Sequence, residues 1–153
     1  RKNKYKYMYM YKGIYVFFLF VCSCSFSQQN VTWQDLAKIK FTDKYLSEYE
    51  AYFMYPTFSA SVKALEGKQI TIKGYFLDVV AKENIYMLSK GPMASCYFCG
   101  QGGPESAIEL EFINKQNFKT DDIVSITGIL ELNKDDIEHF NYILKECKGM
   151  FVK

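Results

Sequence analysis

From Lys68 onward, apolar side chains alternate with polar ones in five short runs, a period of two that commits this part of the chain to strands with one buried face. In the first run Ile70, Ile72, Gly74 and Phe76 alternate with Thr71, Lys73 and Tyr75, and the pattern continues from Leu77 to Val80. Further runs cover residues 85–88, 107–113 and 123–132, and a fifth covers 140–147 with 150–152 as its extension. The first and fourth runs share a local pattern, Ile70-Thr71-Ile72-Lys73-Gly74 beside Val124-Ser125-Ile126-Thr127-Gly128. A glycine inside a strand marks a bulge or bend that lets a small sheet coil on itself. Five such strands, with edges that need hiding, predict a compact Greek-key barrel; the alternative arrangement is a small β-sandwich.

Across residues 67–152 this pattern resembles the five-stranded oligonucleotide/oligosaccharide-binding (OB) barrel, in which the first and fourth strands are neighbours and so coil alike. The expected fold class is therefore mainly β, an OB-like barrel over 67–153 preceded by a helical and aromatic segment over 28–66 that packs on it. In that segment Thr32 is placed to cap a short helix carrying Trp33, Leu36, Ala37 and Ile39. Residues 40–55 are aromatic-rich but of ambiguous period, and Pro56 is expected to end whatever precedes it. Ser59 to Glu66 reads as one or two helical turns with Val62 and Leu65 on one face and Gly67 as the stop.

The first 27 residues read as an export signal. Arg1, Lys2, Lys4, Lys6 and Lys12 form a basic leader without an acid, and an apolar stretch from Gly13 to Phe26 follows. That stretch is shorter than the roughly 20 residues a permanent membrane helix needs. Cleavage after Ser27 puts Ser25 and Ser27 at the small-residue positions of the cut and leaves Gln28 as the new N-terminus. The alternative is a lipoprotein attached through Cys24, with Cys22 sitting awkwardly in the lipobox. Either way the protein is expected in the periplasm or outside the cell, touching membrane only through the signal or the lipid.

Removing the signal changes the charge. The chain has 19 basic residues and 17 acidic ones, and 19 less the 5 in the signal leaves 14 against 17. A mildly acidic domain has no basic footprint for phosphates, which argues against the nucleic-acid partner an OB-like barrel otherwise invites.

The most unusual stretch is residues 91–105, a loop between the second and third runs that contains Cys96-Tyr97-Phe98-Cys99-Gly100 and is punctuated by Gly91, Pro92, Gly102, Gly103 and Pro104. Such glycine and proline density excludes long regular elements, so this is a loop of functional length. In an oxidising compartment Cys96, Cys99 and Cys147 are disulfide candidates, either 96 to 99 or one of these to 147. A metal reading also places zinc or copper on Cys96 and Cys99, with His139, Cys147, Met93 or Glu105 to complete the set. His139 and Cys147 on one strand would stand roughly 27 Å apart at about 3.4 Å per residue, too far to share an ion. Thioredoxin-like redox chemistry is the weakest reading, because Gly100 to Pro104 prevents the helix that would activate the first thiol. Haem attachment fails because Gly100, not histidine, follows Cys99.

No catalytic residues are assigned. Glu105, Glu109 and Glu111 read as loop and solvated strand positions, a hydrolase triad has little to stand on with a single histidine and no serine in a nucleophile-elbow context, and no phosphate-cradling loop opens a helix. Gly67-Lys68, Gly74-Tyr75, Leu88-Ser89, the Cys96 to Gly100 motif, Gly103-Pro104-Glu105, Leu132-Asn133 and Asn141-Tyr142 together resemble a group of uncharacterised exported bacterial proteins. The resemblance implies compartment and fold and carries no activity. The sequence thus predicts a non-enzymatic binding or accessory module for a protein or small ligand, with metal handling and thiol–disulfide exchange as the alternatives.

Overall fold

The computed structural model describes residues 29–80 and 85–152. The export signal and Cys24 lie outside the described residues. Among the described residues no helix is long and apolar enough to cross a membrane.

The chain order is β1 (Gln29–Asn30), α1 (Trp33–Leu36), β2 (Ile39–Leu46), β3 (Ala51–Phe58), α2 (Ala60–Lys63), β4 (Gln69–Val80), β5 (Ile85–Ser89), β6 (Ala107–Phe112), β7 (Ile123–Leu132) and β8 (Tyr142–Phe151). Strands β4 to β8 close into a mixed barrel: β4–β5, β5–β6, β8–β7 and β7–β4 pair antiparallel, and β6–β8 pairs parallel. That closure excludes the sandwich, and the first and fourth barrel strands, β4 and β7, are neighbours as the sequence predicts. Strand β4 serves two partners, pairing with β7 over Gln69–Tyr75 and with β5 from Tyr75 to Val80. Being shared between two sides of the barrel is what requires its length and coil.

Period two explains the interior. Ile70, Ile72, Phe76, Leu88, Ile108, Leu110, Val124, Ile126, Leu130 and Leu144 point inward and are buried in one cluster, which also takes Leu36, Val62 and Leu65 from the two helices. Thr32 caps α1 through a reciprocal exchange with Asp35, and Ser59 caps α2, as short helices require when so few internal bonds form. Gly67 stops the second helical segment with φ 72°, a left-handed value that suits glycine.

A second, smaller cluster lies on the outer face. Leu77, Met87 and Ala107 are each one residue from inward-facing Phe76, Leu88 and Ile108, so they face the opposite way; Val79 of β4 packs beside them, and Cys96, Tyr97 and Phe140 cover them. The cysteine loop is therefore the outer cover of β4, β5 and β6. It is not wholly irregular: Met93–Ser95, Tyr97–Cys99 and Pro104–Ser106 form single 3₁₀ turns.

The aromatic stretch forms a hairpin, β2 and β3, outside the barrel sheet. Pro56 does not end β3 but pairs with Phe41 within it. Each strand of a two-stranded sheet has one unpaired side, and there the missing N–H of proline costs no ladder bond.

Candidate functional site

A groove of 620 Å³ opens where three segments meet. The hairpin contributes Lys44, Tyr52 and Tyr55, the cysteine loop contributes Tyr97 and Phe98, and the β7–β8 connection contributes residues 134–141. The volume falls in the range of small-ligand sites, about 300–1,000 Å³. Tyr97 and Phe140 also pack on the outer cluster, but two of the groove's aromatic rings stand clear of any core. Tyr52 is 73% exposed and Phe98 56% exposed.

Local hydrogen bonds hold the β7–β8 connection in shape. The Asn133 side chain donates to the carbonyl of Asp136 at 2.6 Å and accepts from its N–H at 3.0 Å, while the Asn133 N–H donates to the Asn141 carbonyl at 2.9 Å. This closure makes the fifth barrel strand begin at Tyr142 rather than at Phe140 as expected. Tyr55 reaches across from the hairpin, its hydroxyl donating to Asp135 at 2.8 Å, and the Lys44 ammonium sits 4.3 Å from the Tyr55 ring centre.

Glu109 corrects the sequence reading. It was expected on a solvated strand face, but its side chain is only 14% exposed. One carboxylate oxygen lies 2.8 Å from His139 Nδ1, and the other accepts from the Phe140 N–H at 3.2 Å. Period two correctly put Glu109 on the outer face of β6, but the β7–β8 connection folds back over that face and uses the carboxylate as its anchor. Glu111 is exposed, as expected.

The Glu109 hydrogen bond and charge raise the His139 pKa above its ordinary 6.5. A raised folded value means that the pair contributes fully below the unfolded pKa and is lost as pH rises through the folded one. Because His139 is 48% exposed, solvent screening holds that contribution to about 1 kcal/mol or less. Glu109→Gln is expected to return the His139 titration, followed by imidazole NMR, to near the free-histidine value. An unchanged titration would show that Asp136 and Glu111, which also face the ring's field, set it instead.

The structure brings Cys96 and Cys99 together and keeps Cys147 apart. Their sulfurs are 3.9 Å from each other, and all three thiols are free. Cys96 is buried in the outer cluster, whereas Cys99 is exposed and donates to the Met93 carbonyl at 3.1 Å. Cys147 belongs to the interior cluster and donates to the Leu144 carbonyl at 3.0 Å, so the barrel wall separates it from the other two. Burial pushes its thiol up to about 12. The hydrogen bond shared with Cys96 raises the Cys99 thiol above its usual value. Among the described residues no group of three His, Cys, Asp or Glu side chains converges as a metal site. His139, the proposed third ligand, faces Glu109 instead.

Compared with known proteins, the chain matches no family model, no curated protein and no solved structure. The functional reading therefore rests on the groove.

Proposed function

We propose that this protein is an exported, non-enzymatic binding module on an OB-like barrel, and that the groove between the hairpin, the cysteine loop and the β7–β8 connection holds its ligand. The observation that carries the reading is the gathering of aromatic rings around one concave opening, Tyr52 and Phe98 exposed and Tyr55, Tyr97 and Phe140 half-buried. Aromatic faces left in water without a core role favour stacking contacts. The connection between the fourth and fifth strands is also where OB barrels receive ligands.

The polar lining narrows the ligand. Asp135, Asp136 and Glu138 are balanced by Lys44, Lys134 and His139, so the groove has no basic excess for phosphate chains and suits a small neutral ligand rich in hydroxyls. Export is supported by the basic and apolar leader and by the resemblance of the cysteine loop to exported bacterial proteins. Mass spectrometry of the protein from its host tests that part: a Gln28 terminus supports secretion, and a lipid on Cys24 supports anchoring.

For the groove, saturation-transfer NMR with a panel of short neutral oligosaccharides is the direct test. Phe98→Ala is expected to weaken binding about two- to twelvefold, since an aromatic contact contributes about 0.5–1.5 kcal/mol beyond its area. Binding that maps to another face, or that ignores both Phe98→Ala and Tyr52→Ala, would sink the assignment. A peptide bound in place of the sugars would move the proposal to a protein partner.

A further inference from the structure

The two cysteines bracket the two residues that the cysteine loop gives to the groove wall. Tyr97 and Phe98 lie between Cys96 and Cys99 in a single 3₁₀ turn, their rings 5.4 Å apart, and Phe98 packs on Phe140 of the opposite connection at 5.8 Å. We propose that Cys96 and Cys99 form a redox-responsive pair that repositions this aromatic wall, and so regulates the groove in which the ligand reading rests.

The geometry dictates which part moves. A disulfide needs sulfurs at about 2.0 Å, so the 3.9 Å gap must close by roughly 1.9 Å. Cys96 is 1% exposed and packed against Leu77, Met87 and Ala107, which fixes its end. Cys99 is exposed, and Gly100 beyond it has a left-handed φ of 72° with nothing within 4 Å of where a Cβ would stand, which leaves that end free to swing. Closing the bond takes Cys99 from the Met93 carbonyl and pulls the adjoining Phe98 with it, against Phe140.

The chemistry is thiol–disulfide exchange with a disulfide-bearing oxidant. The exposed Cys99, as thiolate, attacks one sulfur of the oxidant's disulfide, forming a mixed disulfide and releasing the first oxidant sulfur as a thiol. Cys96, deprotonated in turn, attacks Cys99 and releases the second. Two electrons and two protons pass to the oxidant, which leaves as two thiols. Reduction by a dithiol reverses each step.

The test compares the full chain in oxidised and in reduced glutathione. Peptide mass mapping is expected to show a bond between Cys96 and Cys99 only in the oxidised sample. NMR is expected to show shifts of the Phe98 ring and, across the groove, of the Phe140 ring and His139, and Cys99→Ser should abolish them. A mapped bond whose shifts stop within residues 95–100 would overturn the proposal. So would dimers linked through Cys99, or a bound metal that protects the pair from oxidation. These readouts need no ligand, so failure of the oligosaccharide panel leaves them intact. A sugar bound equally by both forms would remove the redox proposal and keep the groove.

Discussion

Tyr142→Ala is expected to cost about 3–5 kcal/mol of unfolding free energy, read as a lower midpoint in urea unfolding, the range for truncating a fully buried aromatic side chain. Tyr142 is 0% exposed, and its ring lies 5.6 Å from that of Phe58 at the end of the hairpin. Its hydroxyl donates to the Leu36 carbonyl at 2.7 Å, across 106 residues of sequence. That carbonyl ends α1 and has no partner within so short a helix, so the phenol serves as its C-terminal cap. The same side chain therefore ties the hairpin and the first helix to the barrel. Tyr142→Phe keeps the ring but leaves the carbonyl unpaired, and its expected cost is about 1–3 kcal/mol. If alanine costs no more than phenylalanine does, packing between the N-terminal segment and the barrel contributes nothing measurable, and the two parts unfold separately.

The barrel was legible because inward and outward positions alternate cleanly along its strands. Ile70 and Ile72 against Thr71 and Lys73, or Val124 and Ile126 against Ser125 and Thr127, separate inside from outside without ambiguity. The hairpin offered no such signal. Tyr45 is 52% exposed and Met54 51% exposed, so the apolar residues of β2 and β3 do not mark one buried face and the aromatic run has no clean period. The outer cluster was hidden for the opposite reason. Phe76-Leu77, Met87-Leu88 and Ala107-Ile108 are adjacent apolar pairs, the mark of strands buried on both sides, but the sequence does not say what covers the second side.

The site was legible only in its local part. Glycine, proline and paired cysteines single out residues 91–105 because loop chemistry is local. The other walls arrive from far away, Tyr55 meeting Asp135 across 80 residues and Glu109 meeting His139 across 30. Glu109 looks like any polar residue in a period-two strand, since its anchoring role depends on a loop that returns over the sheet after one further strand.

Gly74→Ala is expected to destabilise the protein by about 1–3 kcal/mol, the usual cost of an overpacked interior, and Gly74→Val by more. The sequence marks this glycine for the bend of its strand, but the structure adds a steric reason. A Cβ at 74 would stand 2.6 Å from the Ser89 carbonyl oxygen, 2.9 Å from Leu88 Cγ and 3.0 Å from Trp33 Cζ2. The closest of these atoms is backbone of the paired strand β5, which cannot swing aside as a side chain can. The indole is held as well, because its Nε1 donates to the neighbouring Lys73 carbonyl at 2.8 Å. Trp33 is the chain's one tryptophan, so its fluorescence reports on this site directly. Gly67 provides the control: φ is 72° there and nothing lies within 4 Å of the Cβ position. Asparagine tolerates left-handed backbone, so Gly67→Asn should cost less than Gly67→Ala. At Gly74 the order should reverse, with asparagine worse than alanine, because the obstacle is volume rather than φ. Equal costs for alanine and asparagine at Gly74, with Trp33 emission unchanged, would return the glycine to a role in bending alone.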